Sequence, residues 1–334
     1  MKLVFLSILL LTSICRAQNS IEECPKGNFT KDFGDIRGSG GAEWCWANTA
    51  ADLIGYAQGV KPPSRISALD VAISNLTISP LGIEKTINSL NTVGMNSSRI
   101  PWYQGQIASS QDLLKTFPLH KVIGLPSTAL LSYQSRKGYC LEHQLKIDSS
   151  SSNSYIAQYI QSVSVKVRPR FLEDCKNTSL NPIKDLQSFN FELNKRILAQ
   201  IEDEIDEQCR PRTSMKPMLP STVDLSADPM KRTATDFIKL GLNNGLPIAI
   251  GFDSNLLLGG SYSKTANHVG IITEARFNSK TNRCEYRLRD SNGSDCNIYR
   301  KEIRNACDNG YIWLSPDEIN NSTAMIMAVD KPQE

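Results

Sequence analysis

The chain contains only three histidines, His120, His143 and His268, in 334 residues. It also lacks an excess of either charge, since 37 Lys and Arg face 34 Asp and Glu for a formal net charge of +3. Without a basic surplus, or a basic run interleaved with aromatics, there is no electrostatic footprint for a phosphate backbone, and nucleic acid is excluded as an expected partner. No internal repeat is present, and no glycine period of the collagen kind. Hydrophobic residues make up 40% and charged residues 21%, which excludes disorder; nine cysteines are too sparse over this length for a small disulfide knot. The N-terminal apolar run, Leu3 to Leu11, falls short of the ~20 residues needed to span a bilayer. What remains is enough apolar material for a large core, at a length where single cores stop growing and a two-lobed body with a cleft is expected.

Lys2 precedes that apolar run, and Thr12-Ser13-Ile14-Cys15-Arg16-Ala17-Gln18 follows it. A positive start, a short apolar centre and small residues at Cys15 and Ala17 form a secretory signal peptide, residues 1–17, with cleavage expected after Ala17. Loss of Lys2 and Arg16 brings the mature chain closer to neutrality. The expected location is secreted or periplasmic, with no membrane attachment in the mature form.

Export changes what the cysteines mean. Eight remain, at 24, 45, 140, 175, 209, 284, 296 and 307, and an oxidising compartment favours pairing. If one is a working thiol, seven are left, and an odd number cannot all pair with one another. Disulfides are expected from among Cys140, Cys175 and Cys209 and from among Cys284, Cys296 and Cys307, with the connectivity open. A zinc site of Cys140, His143, Cys175 and Cys209 is the competing arrangement; the compartment argues against it, and no metal is expected.

The chain divides by character. Gly38-Ser39-Gly40-Gly41-Ala42-Glu43 is a glycine-rich loop opening onto a helix through Tyr56, whose apolar positions Trp46, Ala50, Leu53 and Ile54 recur at helical spacing. Cys45 falls at its N-terminus, where unpaired backbone donors and the positive end of the dipole favour a thiolate over a thiol. Residues 64–76 and 83–93 read as helices, and 111–117 as a helical fragment. Val163, Val165 and Val167 alternate and suggest a strand over 160–167. Leu186 to Cys209 is a long amphipathic helix with Leu186, Phe189, Leu193, Ile197, Ile201 and Ile205 in one stripe. Residues 210–229 read as a linker or surface loop, and a helix from Thr233 ends at Asn243-Asn244-Gly245. Strands are expected over 246–252, 268–275, 284–290 and 310–314. Helices first and strands last imply an α+β fold with segregated lobes.

Cys45 on a helix N-terminus, His268 opening a strand and Asp290 closing the next match what thiol acyl transfer needs: a nucleophile, a proton carrier and a group that orients the ring. His120 and His143 lack such a setting. Four islands carry a family resemblance: Gly40 through Ala51, Asn244 through Ile250, Asn267-His268-Val269-Gly270-Ile271, and Tyr286 through Gly293. On these, the chain resembles the papain-like cysteine peptidases, most closely their divergent secreted bacterial members. The resemblance implies a papain-like two-lobed fold, a helical lobe at about 18–139 and a β lobe at about 231–334. It implies Cys45 as nucleophile, His268 as its base and acid, and Asp290 where the family usually has an orienting Asn. More than two hundred residues separate Cys45 from His268, beyond the ~130–150 of the papain signature, so an insertion is expected at about 140–230.

The departures matter as much. Ser39 stands where the family carries a Gln that helps hold the oxyanion, and loss of such a donor costs ~10²–10³ in turnover. Glu43 replaces a glycine lining the cleft, and Asn292 replaces a Trp that shields the imidazole's hydrogen bond. Ser39, Glu43 and Trp44 are the expected oxyanion and substrate-side residues, with Trp44 and Trp46 also suited to packing. The expected activity is peptide-bond hydrolysis on a peptide or protein substrate without cofactors. The alternative is a catalytically weak or inactive papain-like scaffold that acts as a binding module, and acyl transfer to an amine would use the same residues.

Overall fold

A computed structural model describes residues 23–38, 44–78, 126–136, 138–146, 155–176 and 186–330. The described residues of the N-terminal half are mainly helical. Helix α1 (Cys45–Gln58) is buried at every position from Trp46 to Ala57, so it is an axis of the core rather than a surface helix. Four alanines, Ala47, Ala50, Ala51 and Ala57, keep its profile narrow enough for neighbours on all sides. It ends at Gly59, whose φ of 70° is the left-handed conformation that closes a helix and lets its N–H reach the carbonyls of Gly55 and Tyr56. Helices α2 (Ala68–Ile78) and α3 (Pro126–Gln134) pack against α1 and against each other.

Two long helices follow, α4 (Tyr155–Lys176) and α5 (Leu186–Gln208). They pack on each other, and α5 also packs on α2. In the α5 stripe Leu193, Ile197, Ile201 and Ile205 are buried as expected, and the side chains of Leu186 and Phe189 lie outside the described residues. The strand expected over 160–167 is a helix instead. Its buried apolar positions among the described side chains are Ile160, Val163 and Phe171, while Val165 is 59% exposed. Spacings of three and four around Val167 place this set on one helical face, so the valine alternation was a coincidence of a stripe read two residues at a time. The expected helices over 83–93 and 111–117 lie outside the described residues. Among the described residues, no helix is long and apolar enough to cross a membrane.

Among the described residues, the C-terminal half forms one antiparallel sheet of seven strands, β1 (Pro220–Asp224), β2 (Ile248–Phe252), β3 (His268–Asn278), β4 (Arg283–Asp290), β5 (Cys307–Asp308), β6 (Tyr311–Leu314) and β7 (Thr323–Val329). Their order is β1-β7-β2-β3-β4-β6-β5. The segment expected as a linker therefore contributes the edge strand β1, whose register runs from Pro220 opposite Val329 to Asp224 opposite Met325. Helix α6 (Ala234–Asn243) begins on a capping box of Thr233 and Asp236 and packs on β7, beside helix α7 (Pro316–Ser322). The molecule is thus an α+β fold of a helical lobe and an antiparallel β lobe.

Helix α1 packs on β3 and β7 as well as on its own helical neighbours, and α3 packs on β1, so both helices join the lobes. The N-terminal segment also crosses between them: Phe29 N–H donates to the Thr273 carbonyl, and Cys24 is bonded to Cys284 on β4. Two further disulfides, Cys140–Cys209 and Cys296–Cys307, come from the two expected groups. The Cys24 bridge was not anticipated, because its halves are 260 residues apart in sequence.

Candidate active site

The sheet register brings the polar residues together. His268 is the first residue of β3 and pairs with Phe252 of β2, while Gly270 pairs with Asp290, the last residue of β4. Side chains two apart on a strand share a face, so His268 and Asp290 project to the same side. Helix α1 lies against β3 and presents Cys45 at its first turn. Three residues scattered over the sequence thus meet where the helical lobe abuts the sheet.

His268 Nε2 donates to Asp290 Oδ1 at 2.5 Å. The same imidazole hydrogen-bonds the Cys45 side chain, and with Nε2 committed to the carboxylate, Nδ1 is the nitrogen left for sulfur. The ring is 7% exposed and meets Phe252 edge-on, with centroids 5.2 Å apart. Cys45 is part-exposed and is not in a disulfide. Burial opposes charging His268, but the Asp290 carboxylate and the hydrogen bonds to Asp290 and Cys45 outweigh it and push the imidazole up to about 10. Burial likewise works against the Asp290 anion, yet the His268 charge and three hydrogen bonds hold its carboxyl below the usual carboxylate range. Chemically, this is a cysteine sulfur beside an imidazole whose charge is supported and whose orientation is set by a fully buried anion.

Asp290 has more partners than the sequence suggested. Its Oδ2 accepts from Tyr299 Oη at 2.6 Å and from Asn292 Nδ2 at 2.9 Å. The Asn292 turn is seated by Gly310, whose φ of 80° and close approach leave no room for a side chain, since a Cβ would lie 2.3 Å from the Gly293 carbonyl oxygen. The Gly310 carbonyl also accepts from Asp290 N–H at 3.3 Å.

A second buried cluster sets the helix against the sheet. Asp52, two turns beyond Cys45, accepts from Arg37 Nε at 2.7 Å and from Arg289 Nε at 2.9 Å. Arg289 precedes Asp290 on β4 and so points to the opposite face, where it also donates to the Tyr311 hydroxyl and to the carbonyls of Gly34 and Asp35. Burial raises Asp52, but the two guanidiniums prevail and hold its carboxyl below the ordinary value. This carboxylate connects α1, β4 and the N-terminal segment. A charged residue inside an alanine-rich helix was the available signal; its partners lie too far away in sequence to be read.

Of the expected site residues, Cys45, His268 and Asp290 come together. Trp44 is 1% exposed, beside Trp46 in the core, and its carbonyl accepts from the N–H groups of Ala47 and Asn48. Its indole is therefore part of the packing beneath the helix start. Ser39 and Glu43 lie outside the described residues. The zinc arrangement fails on chemistry, because Cys140 and Cys209 are bonded to each other and cannot both be thiolate ligands. With three disulfides formed and Cys45 free, Cys175 is the remaining cysteine of the eight, and its side chain lies outside the described residues. Disulfides in this number fit an oxidising, extracellular setting. Tyr299 was missed entirely, since a lone tyrosine in a polar loop carries no periodic signal.

No family model matches the chain, and no curated protein sequence does. Among solved structures it is similar to PepW from Lactobacillus rhamnosis, at 12% identity and a TM-score of 0.50, covering 96% of this chain and 85% of that one. The Amb a 11 cysteine protease, a ragweed pollen allergen in its proform, matches at 10% identity and a TM-score of 0.43 over 93% of this chain and 66% of its own. Digestive procathepsin L 3 of the Tenebrio molitor larval midgut matches at 9% and 0.42, over 95% and 72%. At such identities the likeness is one of fold alone, an α+β body of two lobes.

Proposed function

We propose that this chain is an exported cysteine peptidase that hydrolyses peptide bonds through a thioacyl-enzyme on Cys45. The observation that carries the reading is the imidazole of His268, held by a buried carboxylate on one nitrogen and hydrogen-bonded to the Cys45 side chain. Cys45 sulfur attacks the substrate carbonyl, and His268 holds the thiol proton and returns it to the leaving amine. The Cys45 N–H, at a helix start where it has no intrahelical acceptor, supports the developing oxyanion. His268 then takes a proton from the water that releases the acid. Asp290 orients the ring and supports its charge. The substrate is a peptide or protein, and the residues at about 140–230 form an insertion between the lobes of a domain spanning 18–334 after the leader 1–17 is removed.

Cys45→Ala tests this. The variant should fold as the parent does and lose turnover of a peptide library completely; unchanged cleavage overturns the mechanism. Absence of turnover in the parent, together with no His268-dependent labelling of Cys45 by a thiol-alkylating peptide probe, would instead favour a binding scaffold.

A further inference from the structure

The Asp290 carboxylate is fully buried, and its two oxygens are not equivalent. Oδ1 serves His268, whereas Oδ2 accepts two donors, Tyr299 Oη at 2.6 Å and Asn292 Nδ2 at 2.9 Å. Only an anion with two acceptor oxygens satisfies this set. An asparagine has one acceptor oxygen, and turning that oxygen to His268 would point its amide at the Asn292 amide, donor against donor.

Tyr299 is 1% exposed and firmly held. It follows the one-turn helix Cys296–Ile298, which Asp295 caps and the Cys296–Cys307 bridge ties to β5. On its other side, the Tyr299 carbonyl accepts from Arg304 at 3.1 Å, and the next residue, Arg300, donates from its backbone to Leu257 at 2.8 Å. The ring therefore arrives at Asp290 from a braced loop rather than a free one.

We propose that Tyr299 is a positioning residue of this site: its phenol proton fixes Oδ2 of Asp290, which keeps Oδ1 aimed at His268 Nε2 and the imidazole aimed at Cys45. Asn292 is the second donor to the same oxygen. Burial and the adjacent carboxylate push the phenol well above its ordinary value, so it remains a donor across the working range. The titratable groups facing Asp290 are His268 and Tyr299; Asp295 acts on it through Tyr299, and Cys45 acts through His268. The inference rests on Cys45 and His268 being the working pair.

The test is the pH dependence of Cys45 alkylation by iodoacetamide, with the labelled residue identified by peptide mapping, in the parent and in Tyr299→Phe. In the parent, the rate should follow the charged imidazole and change along a limb near the His268 value of about 10. In Tyr299→Phe, a carboxylate no longer pinned makes a poorer partner for the ring, and that limb should move to lower pH. Peptide turnover should fall about 10-fold or more in kcat with KM little changed, as expected for a lost hydrogen bond to a charged group. A limb that stays in place or moves up overturns the proposal. If the phenylalanine variant does not fold, Asn292→Ala, in a partly exposed turn, removes the other donor to Oδ2 and must shift the limb the same way. A parent whose Cys45 rate shows no His268-dependent limb would instead refute the functional reading itself, and the two failures are thereby distinct.

Discussion

Asp52→Asn is the substitution that probes the union of the lobes most directly. The Asp52 side chain is 7% exposed, and those of Arg37 and Arg289 are 4% and 3% exposed, so all three charges are withdrawn from water. Removing the central anion leaves Arg37 with Glu142 at 3.4 Å and Arg289 with a phenol and two carbonyls but no carboxylate among the described residues. Breaking a buried pair by deleting one partner costs ~3–5 kcal/mol. With ~2.1 cal/mol/K of unfolding entropy per residue, that lowers Tm by about 4–7 °C in a chain of this size. Urea unfolding followed by fluorescence should show a lower midpoint, and Cys45 alkylation should slow as α1 loosens from β4. Because the folded Asp52 carboxyl sits below its ordinary value of 3.8, its contribution is complete above that pH and disappears as pH falls through the folded value. The gap between parent and variant should therefore close in acid. A companion variant replacing Arg37, Asp52 and Arg289 together by apolar residues should recover much of the loss. An Asp52→Asn protein within about 1 kcal/mol of the parent at neutral pH would refute the idea that this cluster holds the lobes together.

Two further measurements bear on the site and on the fold. His268 titrates at about 10 when folded against 6.5 ordinarily, so its stabilisation is complete below pH 6.5 and is lost as pH rises toward 10. Urea midpoints should decline over that interval in the parent, and a decline just as steep in His268→Gln would contradict the assignment. Val163 is buried and Val165 is 59% exposed, so Val163→Asp should cost several kcal/mol while Val165→Asp stays within about 0.5 kcal/mol. Equal losses from the two would mean that they share a face, as in a strand.

The reading of local periodicity succeeded where a single element declares itself. Helix α1 was legible because its large apolar residues recur at helical spacing, the α5 stripe because burial there repeats every three to four residues, and β3 and β4 because their runs are short, apolar or alternating. At 160–167 the helical period is obscured, because polar residues interrupt the stripe and valines happen to alternate. Strand β7 carries no such signal. Thr323–Val329 is a short, largely apolar run without period, and only its place between β1 and β2 makes it a strand.

What the amino-acid order determined by itself was an α+β chain with a cysteine at a helix N-terminus, a histidine opening one strand and an aspartate ending the next. Those features are local, set by side-chain spacing and by the chemistry of helix and strand ends. What only the tertiary structure decided was the company these residues keep: Tyr299 and Asn292 on the second oxygen of Asp290, and Asp52 between Arg37 and Arg289. Asp52 and Arg289 are 237 residues apart in the chain, and even the nearer partners sit on different turns and elements. A buried charge is tolerated only where several donors converge on it, and that convergence is a property of packed elements rather than of any one segment.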